Sequence, residues 1–376
     1  MNPTISRPAV KALLMAAGLM ISAATSPLYA ADPDAELAAL AGKVMSTGPN
    51  GEAPSPASVV TLSDDELAKV KGIHATAAIV LHYGGNDWSR AQVDGLKAEF
   101  AALGIDVIAV TDAGFKPETQ VANIETVMAK KPSIIVSIPV DPVSEAGAYK
   151  KAADAGVKLV FMDNVPKGLV AGKDYVSVVS ADNYGNGLAA GLLMAKFLKG
   201  KGNIGAVFHA ADFFVTKQRY EGFKKAISEF PDIKIIEAQG VAGPDFSGDA
   251  DKVASAMITA HPNIDGIWAV WDVPAEGVIS AARSAGKDNL VITTEDLGEN
   301  VAINMAQGSY VKGLGAQRPY DQGVTEAKLA AYGLLGKKAP DYVALPSLAV
   351  TMDNLLDAWK AVYHTDAPAD VRKSMN

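Results

Sequence analysis

The sequence predicts an α/β protein of two Rossmann-like lobes, each built on a parallel central sheet and joined by a hinge of three chain segments. Three observations predict it. Two successive sets of five short, mostly apolar runs alternate with helical patterns. Runs of that kind are strands buried on both faces, because each connection returns as a helix over the sheet. The chain is also longer than the roughly 250–300 residues at which a single core usually splits. Finally, breaks near Ser180-Ala181-Asp182, Gln317-Arg318-Pro319 and Pro346 let the chain pass between the two sets three times.

In the first set, strands are expected at 77–81, 106–110, 134–138, 158–162 and 176–179, with helices at 89–103, 117–130 and 143–155. In the second, strands are expected at 204–208, 234–238, 266–270, 290–294 and 311–314. Their helices fall at 215–229, 248–260, 274–285 and 299–307, and a helix at 188–198 precedes them. A helix at 321–334 and a tail at 347–363 complete the pattern. The expected lobes are 75–181 with 318–346, and 182–317 with 347–376. Residues 31–74 read as an appendage with helical spacing at 34–45 and a Gly/Pro-rich loop at 48–56. Ser63-Asp64-Asp65-Glu66 is a capping-box start for a short helix through Val70.

The first residues carry Arg7 and Lys11 and no acid, an apolar run at 12–24 follows, and small residues lead to Ala30. That is the pattern of a secretory signal peptide cleaved near Ala30. The run is shorter than the ~20 residues that span a bilayer as a helix, so no membrane insertion is expected after cleavage. The mature chain is expected to be exported. The formal charge is −8, and the leader removes two cations with it. An acidic chain without a basic cluster is a poor nucleic-acid binder, since phosphate neutralisation supplies most of that affinity. There are no cysteines, which excludes disulfides and thiolate metal sites. The five histidines form no HExxH motif and no i, i+4 pair, so no zinc is expected. Gly185, Gly187 and Gly191 miss the dinucleotide fingerprint by one position, and no acid closes the next strand. No cofactor is expected.

In open parallel sheets, ligands sit beyond the carboxyl ends of the strands. The residues found there are Asn86 and Trp88 after the first strand, Asp163 and Asn164 after the fourth, and His209 after the sixth. Arg219 lies one turn into the next helix, Phe246 follows the seventh strand, Trp271 the eighth and Asp296 the ninth, and Gln317 sits at a break. Carboxylates accept from hydroxyls, the arginine and amides donate to them, and flat rings cover C–H faces. With two carboxylates, one arginine and no phosphate cradle, the set suits a small neutral polyhydroxylated molecule.

At these residues the chain resembles the ribose-type branch of periplasmic sugar-binding proteins, which share the type I fold with the sensor domain of the lac-repressor family. The resemblance runs from about Thr76 to Thr351. Its motifs are Asn86 and Trp88, Asp163, Arg219-Tyr-Glu-Gly-Phe223, Asp245-Phe246, Asp296, Ala316-Gln317 and Thr259-Ala-His-Pro262. It implies a binding role for the ten residues above and delivery of a sugar or polyol to the permease of an ABC transporter. Ribose binders usually carry arginine where Asn164 stands, asparagine where Trp271 stands and an aromatic where Ser89 stands. Another pentose, a tetritol or pentitol, or an inositol is therefore as compatible as ribose. A secreted carbohydrate-active enzyme using Asp163 and Asp296 as an acid/base pair is the alternative from another class; presentation of ligand to a chemoreceptor is compatible with the first reading.

Overall fold

The computed structural model describes residues 31–375, together with Met1 and Pro3. The expected signal peptide therefore lies almost wholly outside the described residues. The N-terminal extension forms α1 (Pro33–Leu40), β1 (Ser55–Pro56) and α2 (Asp64–Ile73). The first alternating set is β2 (Thr76–Leu81), α3 (Asp87–Ala102), β3 (Asp106–Asp112), α4 (Pro117–Ala129), β4 (Ile134–Ser137), α5 (Ala146–Asp154), β5 (Lys158–Met162) and β6 (Ser177–Ala181). The second is α6 (Asn183–Phe197), β7 (Gly202–His209), α7 (Phe214–Ser228), β8 (Ile233–Val241), α8 (Phe246–Ala260), β9 (Gly266–Ala269), α9 (Asp272–Ser284), β10 (Val291–Glu295), α10 (Glu299–Ala306) and β11 (Val311–Ala316). Then follow α11 (Pro319–Leu335), β12 (Tyr342–Leu345), β13 (Leu348–Val350), α12 (Leu355–Tyr363) and α13 (Ala369–Ser374).

The strands form two sheets, ordered β1-β12-β6-β5-β4-β2-β3 and β13-β11-β10-β9-β7-β8. Every pairing is parallel except β11 with β13. Strand alternation explains why the runs read as continuously apolar. Ala77, Ile79 and Leu81 pack with Leu96 and Phe100 of α3 and Ala330 of α11. Ala78 and Val80 face the other way, onto Ile124 and Val127 of α4 and Tyr149 of α5. In both sheets the chain steps to one side first and then reverses, at β2/β4 and at β7/β9. Crevices for ligands open at such reversals.

The chain passes from one sheet to the other between Ala181 and Asn183, between Ala316 and Pro319, and between Leu345 and Leu348. The capping box at Ser63 and Glu66 forms and opens α2. Strands β1 and β13 are too short to stand out in the sequence, β1 belongs to the segment read as loop, and the buried four-residue β12 is an addition to the expected strands. Helix α6 starts at Asn183, ahead of the expected 188. Its glycines are contacts, not breaks: a Cβ at Gly187 would overlap the Arg219 carbonyl oxygen, and one at Gly222 would overlap that of Tyr184. The α6–α7 crossing is thus as close as backbones allow, and it fixes the height of Arg219 on α7.

Two glycine replacements should act with opposite sign. Gly222→Ala forces the α6–α7 crossing apart and is expected to cost about 1–3 kcal/mol. Gly147→Ala, at an exposed position of α5 with open space around its Cβ site, should stabilise by about 0.5–1 kcal/mol. Urea denaturation of both variants checks the pair.

Candidate ligand-binding cleft

The loops after β2, β5, β7, β9 and β10 converge on one cavity between the two sheets, about 550 Å³ including its mouth. Of the ten residues singled out in the sequence, Asn86, Trp88, Asp163, His209, Arg219, Trp271, Asp296 and Gln317 line it. Asn164 and Phe246 do not. The Asn164 side chain turns away and donates to the Pro139 carbonyl at 3.1 Å. It faces a neighbouring groove shared with Pro49, Asn50 and Lys217. Phe246 stands behind the wall, against Trp271 at 4.9 Å and His209 at 5.5 Å between ring centroids.

Asp163 and Asp296 occupy equivalent places, one residue past β5 and one past β10, and both have left-handed backbones, with φ of 54° and 65°. Asp tolerates that region better than most residues, and such conformations gather at functional sites. Neither acid caps a helix; that role falls to Asn86, Asp182 and Asp245. Asp296 instead accepts from Arg219 Nη1 at 2.9 Å and from Gln317 Nε2 at 2.8 Å. Arg219 is 3 % exposed. It also donates from Nη1 to the Val270 carbonyl and from Nε to Asn183 Oδ1, each at 3.1 Å. Asn183 in turn donates to Ser180 Oγ at 3.1 Å, and Ser180 donates to Asp163 at 2.5 Å. One hydrogen-bonded chain therefore runs from Asp163 through Ser180, Asn183 and Arg219 to Asp296 and Gln317.

A second contiguous group is aromatic. His82 packs edge-on to Phe115 at 4.8 Å and lies parallel to Phe213 at 6.0 Å. Tyr83 stacks on Phe115 at 5.0 Å, and Phe115 meets Phe246 at 5.5 Å. His82, Tyr83, Phe115, Phe213 and Thr216 line the cavity and were not among the candidates. All follow strand ends, so applying the same positional rule to every ring would have found the four aromatics among them. The neighbouring acids Glu295 and Asp272 are buried and do not line the cavity. Trp268 Nε1 donates to Glu295 at 3.1 Å.

Burial sets the charges. It drives the His82 imidazole down to about 3 and that of His209 to about 4, so both are neutral at pH 7. Burial raises the Asp163 carboxyl to about 6, against the opposing Ser180 hydrogen bond and the Arg219 charge. Burial, with Asp296 nearby, lifts Asp272 to about 8. Asp163 and Asp296 against Arg219 leave the cavity slightly negative at neutral pH. The two halves also touch at a separate groove, where the Glu299 amide that opens α10 donates to Asp87 of α3 at 2.7 Å. Among the described residues no cluster of three or more His, Asp or Glu is arranged to hold a metal, and no helix is long and apolar enough to cross a membrane.

Comparison with known proteins places this geometry. The chain is 30 % identical over 243 residues to a D-ribose/D-allose-binding protein of Pseudomonas aeruginosa, covering 61 % of this chain and 75 % of that one. It is 25 % identical over 268 residues to a D-apiose import binding protein of Actinobacillus succinogenes, covering 71 % and 84 %. A solved ABC sugar transporter subunit from Rhodobacter sphaeroides superposes with a TM-score of 0.65 at 28 % identity, over 74 % of this chain and 99 % of its own. Residues 77–338 match the model of the periplasmic binding protein domain, and the chain belongs to that family of solute-binding proteins, not to the enzymes.

Proposed function

We propose that the chain is an exported receptor that captures a small neutral sugar or polyol in the inter-lobe cleft and presents it to the permease of an ABC transporter. The lobes are residues 75–181 with 318–346, and 182–317 with 347–376. The observation that carries this reading is the single hydrogen-bonded chain from Asp163 to Gln317, of which Asp163, Arg219, Asp296 and Gln317 line the cavity beside a wall of aromatic rings. Among the described residues, one Asp163 carboxylate oxygen meets no protein donor and Gln317 Oε1 is buried without a partner. Buried polar atoms of that kind favour a ligand hydroxyl. The relatives' named sugars agree with this chemistry. A slightly negative cavity disfavours phosphorylated and carboxylated ligands. An acid/base pair finds no support, since both Asp296 oxygens are engaged by Arg219 and Gln317.

Closure supplies the signal to a transporter: a ligand that bridges both lobes binds the closed arrangement better than the open one and shifts the population toward it. In a thermal-shift panel of neutral pentoses, hexoses, tetritols, pentitols and inositols, at least one compound should stabilise the protein by roughly 2.7 kcal/mol at 100 times its Kd. A panel without a hit, or with sugar phosphates as its only hits, would overturn the proposal. Arg219→Ala should abolish binding and destabilise the fold by about 3–5 kcal/mol, because it strands the buried Asp296 carboxylate; calorimetry and denaturation measure the two effects.

The pH dependence separates binding from stability. The Asp163 carboxyl is raised in the folded state, so its contribution to stability is full below its ordinary value near 3.8 and is lost as the pH rises through about 6. Ligand affinity should move the other way, weakening as the pH falls through about 6 and the carboxylate acceptor takes a proton. His209, depressed to about 4, stays neutral over that interval. Titration calorimetry between about pH 7.5 and 5 should show the weakening, and Asp163→Asn should flatten it.

A further inference from the structure

The extension lies outside the family match, which begins at residue 77. It nevertheless contacts both lobes. On one side, Ala31 and Leu37 pack on the core of the sheet containing β7–β11, and Asp34 pairs with Lys196 of α6 at 2.7 Å. On the other, β1 adds to the opposite sheet beside β12, α2 buries Val70 in its core, and Glu66 pairs with Lys337 at 2.9 Å. The chain between these two docks runs along the crossing at Asp182.

Asp182 is fully buried. Its carboxylate accepts from the Met45 amide, the Ser46 amide and the Ser46 hydroxyl at 2.8, 2.8 and 2.7 Å, and from the Gly185 amide at 2.9 Å. Its own amide donates to Leu345, the last residue before the third crossing. Ser46, 2 % exposed, also accepts from the Tyr184 amide at 3.0 Å. A buried carboxylate with no cation among these partners depends on its donors, and three of the four come from the extension. The next residue, Asn183, holds Arg219 and, through Ser180, Asp163.

We propose that the extension is a fourth connection across the hinge and that Ser46 is a positioning residue for the cleft. Through Asp182 it sets the first turn of α6, and thereby the orientation of Asn183, Arg219 and Asp163. The role in ligand binding rests on the reading of the cleft given above. The Ser46 hydroxyl donates to one group and accepts from another, so a methyl cannot replace it, whereas threonine keeps the hydroxyl.

The test uses the full chain and three variants: Ser46→Ala, Ser46→Thr and Glu66→Ala, the last loosening the extension where it does not meet the crossing. Affinities for D-ribose, D-allose and the best compound of the panel are measured by calorimetry, and amide exchange of residues 183–187 by mass spectrometry. Ser46→Ala should weaken binding about ten-fold and speed exchange at 183–187, Ser46→Thr should restore both, and Glu66→Ala should leave affinity unchanged. Unchanged affinity in Ser46→Ala, or an equal loss in Glu66→Ala, would overturn the positioning role. If the parent protein binds none of the compounds, the reading of the cleft fails on its own, and unchanged exchange at 183–187 in Ser46→Ala then overturns the link to the hinge.

Discussion

A guanidinium taken out of water must have its charge and its N–H groups answered locally, and Arg219 is such a group. Its partners come from three separate stretches of chain: Asn183 at the first crossing, the Val270 carbonyl at the end of β9, and Asp296 after β10. Gln317, at the second crossing, closes the set through Asp296. Satisfying one buried cation therefore pins the cleft floor and two hinge segments in a single arrangement. The α6–α7 glycine contact is part of the same constraint, because it sets where Arg219 leaves its helix.

The two acids share a backbone feature. Both stand just past a strand end in the left-handed region, which aspartate tolerates better than most residues, and both line the crevice. Asp163 and Asp296 do so in equivalent places, yet they carry different loads. Asp296 spends both oxygens on Arg219 and Gln317, whereas Asp163 spends one on Ser180. The pair looks symmetric in the fold and is asymmetric in chemistry: one acid is a structural counter-ion and the other retains an acceptor.

Around this floor, the aromatic wall and the Asp87–Glu299 contact bring the lobes together. Histidines 82 and 209 serve there as neutral rings, since burial removes their charge. Family members sharing the fold differ in the sugars for which they are named. The fold by itself therefore does not fix the ligand.

What the sequence determined by itself is what local chemistry encodes. Runs such as 77–81 and 204–208 read as buried strands because both of their faces are apolar, and Asp163, Arg219 and Asp296 were legible because strand ends of parallel sheets point at the crevice. Tertiary structure decided the rest. Gly187 and Gly191 look like helix breakers until α7 packs against them, and β1 and β13 are too short to carry a periodic signal. Asn164 has the position of a ligand residue, but its side chain turns to Pro139, a choice made by a carbonyl 25 residues earlier. The tie between Ser46 and Asp182 spans 136 residues. No local pattern announces a donor and an acceptor that only folding brings together, and for that reason the role of the extension is written in the structure alone.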